Sequence, residues 1–192
     1  MSTLEVNTIT PQSGTTVTLG SSGNTVALGS GVSGSGFGKI GQVVNSSTDY
    51  NQVSTSTSAV DLNSASGVVW ETSITPSSTS SKILVLGSLS LNSYFNGGSE
   101  GRGSCKAFYK IGSGSYTQFK DYNESIGAYD YDSSAPCGIW SKKDLPISTL
   151  VSPNTTSAVT FKFQMLLNSP SATIVWNTGT SDSQLTLMEV LA

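Results

Sequence analysis

The chain has 192 residues, only 11% of them charged, a net charge of -3 at pH 7 and no histidine. Sparse, net-acidic charge offers no field for phosphate backbones and so excludes nucleic acid as a partner. The missing histidine removes the commonest general base, the commonest metal ligand and the usual partner of a nucleophilic Ser or Cys.

At this length one ordinary domain and an appendage are expected. The opening MSTLEVNTIT has neither the basic start nor the apolar centre of a secretion signal. No apolar run approaches the roughly 18 residues of a bilayer span, so a chain that is not exported by that route and does not insert into membranes is expected. LEVNTIT reads as a short strand ending before Pro11. Two nine-residue units follow, GTTVTLGSS and GNTVALGSG, each with two apolar side chains spaced two apart: Val17 and Leu19, then Val26 and Leu28. That is strand spacing. One such strand has too little apolar surface to offset the cost of ordering its backbone, about 1–2 kcal/mol per residue. GSGVSGSGFG (29–38) then separates it from the rest by a flexible linker. The economical partner is another copy of the same segment, and the expectation is a homotrimer with these four side chains near the threefold axis. Residues 1–38 are accordingly read as an attachment or stalk segment and 39–192 as a globular head.

In the head, KIGQVVN opens as a strand, STDYNQVSTSTSAVDLNS is a loop with a strand near Val60 and Leu62, and VVWETSIT runs to Pro76. KILVLGSLSLN is the central strand, with Ile83, Val85, Leu89 and Leu91 inward and Gly87 marking a bulge or close approach. SCKAFYKIG turns through a Gly/Ser hairpin toward Tyr116 and Phe119. KDYNESIGAYDYDSSAPCG (120–138) reads as a long irregular loop. Strands resume at IWSK, LPISTLV, AVTFKFQMLLN, SATIVWNTG and SQLTLMEVLA, with Val159, Phe161, Phe163 and Met165 on one face and Leu185, Leu187 and Met188 lining the last. Nine or ten short strands without a helical period give an all-β chain: an extended N-terminal β stalk or anchor and a jelly-roll-like β-sandwich head.

The blocks STLEVNTITPQSG, GKIGQVVNSSTDYN, SITPSSTSSKILVLGSLSLNS and SQLTLMEVLA resemble small fibre and tail-fibre-like virion proteins of marine bacteriophages, especially those infecting cyanobacteria. The resemblance spans about two thirds of the chain in scattered blocks and carries no catalytic motif. It implies a virion structural protein, assembled in the host cytoplasm, whose leader anchors to other virion proteins or forms a trimeric shaft while the β domain faces outward. With only two repeats, a short fibre or spike on tail, neck or capsid is implied rather than a long leg.

A recognition surface is expected from loops at the end farthest from Gly38. Tyr122, Tyr129 and Tyr131 can stack on sugar rings beside Asp130, and Tyr94, Phe95 and Arg102 flank a second Gly-rich loop. Against this stands a polar loop with rings half buried over the sandwich. The partners expected are other copies of the chain, virion proteins and a host-surface glycan; the alternative is a dedicated glycan-binding module. Asp130 and Asp132 have the spacing of some calcium loops but lack the EF-hand order, so no metal or cofactor is expected. Twelve Asp and Glu residues are present and paired carboxylates can hydrolyse glycosides, as in a depolymerase. A small head without a long groove argues against an enzyme. Cys105 and Cys137 are expected as reduced, partly buried thiols, the alternative being a disulfide that their separation permits. Trp70, Trp140 and Trp176 are expected in the core or between subunits.

Overall fold

The computed structural model describes residues 9–10, 13, 40–95, 100–129, 139–168, 172–177 and 182–191. The chain divides into two compact units, Met1–Phe37 and Gly38–Ala192. Val17, Leu19, Val26 and Leu28, and with them the expected stalk, lie outside the described residues.

The second unit is all-β. Its strands are β1 (Ile40–Thr48), β2 (Gln52–Ser54), β3 (Val60–Asp61), β4 (Asn63–Ala65), β5 (Val68–Val69), β6 (Thr72–Ile74), β7 (Lys82–Phe95), β8 (Glu100–Ile111), β9 (Thr117–Tyr129), β10 (Ile139–Val151), β11 (Val159–Leu167), β12 (Ala172–Trp176) and β13 (Ser183–Val190). Every ladder between them is antiparallel.

One sheet runs β1-β13-β7, with β10 on the far side of β7 and with β12 and then β2 continuing where β13 stops. The other runs β11-β8-β9, with β3 and β6 sharing the free edge of β11. With the short strands set aside, the orders are β1-β13-β7-β10 and β6-β11-β8-β9. Sequence neighbours β6/β7, β7/β8 and β9/β10 fall on opposite sheets, which is the double Greek key of a jelly roll.

Period-two alternation builds the core. Ile83, Val85, Leu89 and Leu91 of β7 meet Val159, Phe161, Phe163 and Met165 of β11, all fully buried, with Leu185 and Leu187 of β13 beside them. Trp70 and Trp176 stack at 5.5 Å and Trp70 lies 6.0 Å from Phe163, so two of the three tryptophans are core rings; the Trp140 side chain lies outside those described. Cys105 is a free, buried thiol, and Cys137 lies outside the described residues. Gly87 marks a close approach rather than a bulge: a Cβ there would sit 2.4 Å from the Gln184 carbonyl oxygen, and neither ladder of β7 shifts register at this point.

Four readings need correction. Residues 120–129 are not loop but the greater part of the 13-residue β9, held to β8 through two register shifts that absorb its irregular pattern. IWSK and LPISTLV are one strand, β10, because Pro146 sits on a strand paired on one side only, where its missing N–H costs no ladder bond. VVWETSIT is broken into β5 and β6, so that Trp70 can turn inward. Met188 is half-buried on the outward face of β13, out of phase with Leu185 and Leu187.

Candidate functional site

The two ends of the sandwich differ. At one, Ile40 pairs Val190 and Val190 pairs Lys82, so the chain enters the head beside the start of β7. β7 then runs 14 residues, about 45 Å at strand rise, to Phe95, which pairs Ile139 of β10 and Ala172 of β12. Glu100 pairs Tyr129 at the same end. The strands flanking 96–99 and 130–138 therefore finish at the end opposite Ile40, hereafter the free end.

Of the residues expected to meet a receptor, Tyr94 and Phe95 fall on the last two positions of β7 and Tyr129 on the last of β9. Their side chains, and the whole of Asp130 and Tyr131, lie outside what the structure describes. Arg102 is half-buried on β8, opposite Gly127, and its carbonyl accepts the Asn168 N–H at 2.8 Å. Tyr122 sits opposite Cys105 inside β9, half-buried with its ring packed against the core. Burial pushes its phenol up, the Thr149 hydroxyl pulling partly the other way.

Sequence reasoning missed an amide cluster beside Arg102. Ser104 is buried, its Oγ 2.9 Å from Asn168 Oδ1 and 3.1 Å from Asn123 Oδ1, and Asn168 Nδ2 donates to Asn123 Oδ1 at 3.2 Å. These groups cover the free-end part of the outward face of the second sheet. They are neutral donors and acceptors, the kind that pair with hydroxyls. Only the pairing of β9 with β8 brings Asn123 beside Ser104, and no local pattern in the sequence marks it.

A second cluster lies on the same face nearer the chain's point of arrival. Tyr116 follows the β8–β9 turn and lies over Lys162 at 4.3 Å and Lys110 at 4.7 Å, measured to the ring centre. Its hydroxyl donates to Glu71, Lys110 pairs Glu71 at 3.6 Å, and Lys162 pairs Asp61 at 2.7 Å. Burial and the Glu71 carboxylate push the Tyr116 phenol up. Every cation here is matched, so the cluster pins the 112–116 turn to the sheet.

Among the described residues the shifted ionisable groups move away from neutrality. Burial, then the charge of Asp121, pushes the Cys105 thiol up. Burial alone would raise Glu189, but bonds from the Ser77 hydroxyl, Gln42 and the Ser77 backbone N–H hold it down at about 2. Among the described residues no three His, Cys, Asp or Glu side chains gather as metal ligands would.

These features define a jelly-roll β-sandwich with an amide cluster on the outward face of its second sheet, toward the end opposite Ile40. The chain matches no protein-family description and no curated protein. Among solved structures it is similar to one described as the infectious bursal disease virus Gx strain, with a TM-score of 0.28 and 11% identity over 78% of this chain and 30% of that one.

Proposed function

We propose that the chain is a virion structural protein of a bacteriophage: a short trimeric fibre or spike, attached to the particle through residues 1–38 and displaying the jelly-roll head. The observation that carries this reading is the polarity of the head. The chain arrives at Ile40, while the strands bearing Tyr94, Phe95, Arg102 and Tyr129 finish at the opposite end. A head built that way offers its free end to a host surface when its leader is held by the particle. The resemblance of its sequence blocks to small marine phage fibres agrees with this assignment, as does an architecture used by capsid and lectin domains, which is an analogy at the level of fold.

The free end is the host-binding surface, and its ligand is a surface glycan. Arg102, Asn123 and Asn168 present the donors and acceptors that hydroxyls require. On this reading the protein acts by attachment and binding and not by catalysis. The test is particle composition and adsorption. Mass spectrometry of purified virions should find the chain, and Tyr129→Ala with Tyr131→Ala should reduce adsorption to host cells. Absence from virions overturns the structural reading; unchanged adsorption with the chain incorporated removes those tyrosines as receptor contacts.

A further inference from the structure

The outward face of the β1-β13-β7-β10 sheet carries a row that a solvated sheet does not need. Strand register places Val43 beside Met188, Met188 beside Leu84 and Leu84 beside Leu150, so one rung is apolar across all four strands. Val43 is 55% and Leu150 50% exposed. The adjoining rungs add Ile40 with Val190 on one side and Leu86 on the other. Lys82 is the one charge on these three rungs. An antiparallel sheet with one face in water ordinarily alternates apolar in and polar out. The opposite sheet is more polar, its outward face bearing Lys106, Lys110, Lys162 and Gln164 around Phe108 and Leu166.

We propose that this apolar rung is where the heads of neighbouring copies pack against one another, an inference that rests on the oligomeric reading above. The occupant follows from position and size. Ile40, where the chain enters the sheet, lies on the rung next to this one, so on the oligomeric reading copies tethered through residues 1–38 have this rung nearer the tether than the free end. Four strands about 4.8 Å apart and three rungs about 7 Å apart span roughly 400 Å² per copy, shared between the seven apolar positions and the polar Lys82, Asn45, Thr186 and Ser148. The apolar part is well under half of what each side of a standard interface buries. A patch of this size holds a neighbour that is already tethered, through effective concentration, far better than a partner arriving from solution.

The test uses the full chain with Cys137→Ser, so that a single introduced thiol reacts; Cys105 is buried. A polarity-sensitive fluorophore is placed at Leu150→Cys or, as control on the other sheet, at Gln118→Cys, and solution mass is measured by light scattering. The expected result is a multimer in which the label at 150 is shielded and that at 118 is wet. Val43→Lys with Leu150→Lys, both exposed positions, should raise the concentration at which the multimer dissociates at least tenfold while the fold is kept. A multimer with a wet label at 150 overturns this inference and leaves the oligomeric reading intact. A monomer with a wet label overturns both. A monomer with a shielded label assigns the rung to the chain's own leader, and a shielded label with unchanged dissociation of the double lysine variant also overturns the proposal.

Discussion

The indole N–H of Trp176 donates to Ser183 Oγ at 2.6 Å across the point where β12 gives way to β13 along β7. The same oxygen accepts the Ser90 N–H at 3.0 Å and donates to Asn177 Oδ1 at 2.7 Å, while Asn177 Nδ2 reaches the Thr48 carbonyl at 2.9 Å. All of these residues are buried. Where two strands share one edge, the ladder has a gap, and this hydroxyl fills it. Ser183→Ala leaves two donors and an acceptor without partners in the dry interior. It is expected to cost about 2–4 kcal/mol, read from urea unfolding, and Ser183→Cys should recover little of it.

Phe161 and Phe163 face the centre of the core from β11, Phe161 against Tyr109 and Phe119 and Phe163 against Trp70. Truncation of either to Ala is expected to cost about 3–5 kcal/mol. Their costs should add imperfectly, because both empty the same layer. Equilibrium unfolding of the two single variants and the double one measures this.

Two glycines hold strands close, and they should respond differently to a methyl group. Gly87→Ala drives a Cβ to within 2.4 Å of the Gln184 backbone oxygen, which cannot step aside. Gly103→Ala meets the end of the Ile174 side chain at 2.3 Å. Both should destabilise by about 1–3 kcal/mol, but Ile174→Val should restore part of the loss in Gly103→Ala and none in Gly87→Ala. A four-way thermal comparison decides it.

Glu189 is buried on β13, yet it remains charged because Ser77 and Gln42 supply three donors. Its acidity lies at about 2, against 4.5 for an ordinary carboxyl. A depressed folded value means that the stabilisation is complete above about pH 4.5 and is lost as pH falls through about 2. The gap in unfolding midpoint between the native chain and Glu189→Gln should therefore be widest above pH 5 and close toward pH 2. A constant gap would mean that packing, not charge, accounts for the site.

The core was legible because β7, β11 and β13 alternate cleanly, and Ile83, Val85, Phe161, Phe163, Leu185 and Leu187 are all inward as their spacing dictates. What the sequence hid depends on pairing. Asp121, Asn123 and Gly127 are poor strand formers, and β9 exists because β8 binds it through two register shifts. Pro146 disguised β10 as two pieces. Glu189 reads as one more surface acid, since its partners Ser77 and Gln42 lie 112 and 147 residues away. The rung of Val43, Met188, Leu84 and Leu150 is invisible until four registers are known. Of the seven expected contacts only Arg102 and Tyr122 have described side chains, and Tyr122 is half-buried against the core.

The lone proline of β10 bears on how such a head can grow. Among the described residues β10 pairs only with β7, and a 13-residue strand open along one edge is a template able to recruit the same strand from another copy and to extend without limit. Pro146 removes a donor from the middle of that template, so a second strand cannot zip along it. With lateral addition blocked there, any packing between copies proposed for this sheet would run through its flat side and not its edge. The proline thus works against growth of the head by strand addition.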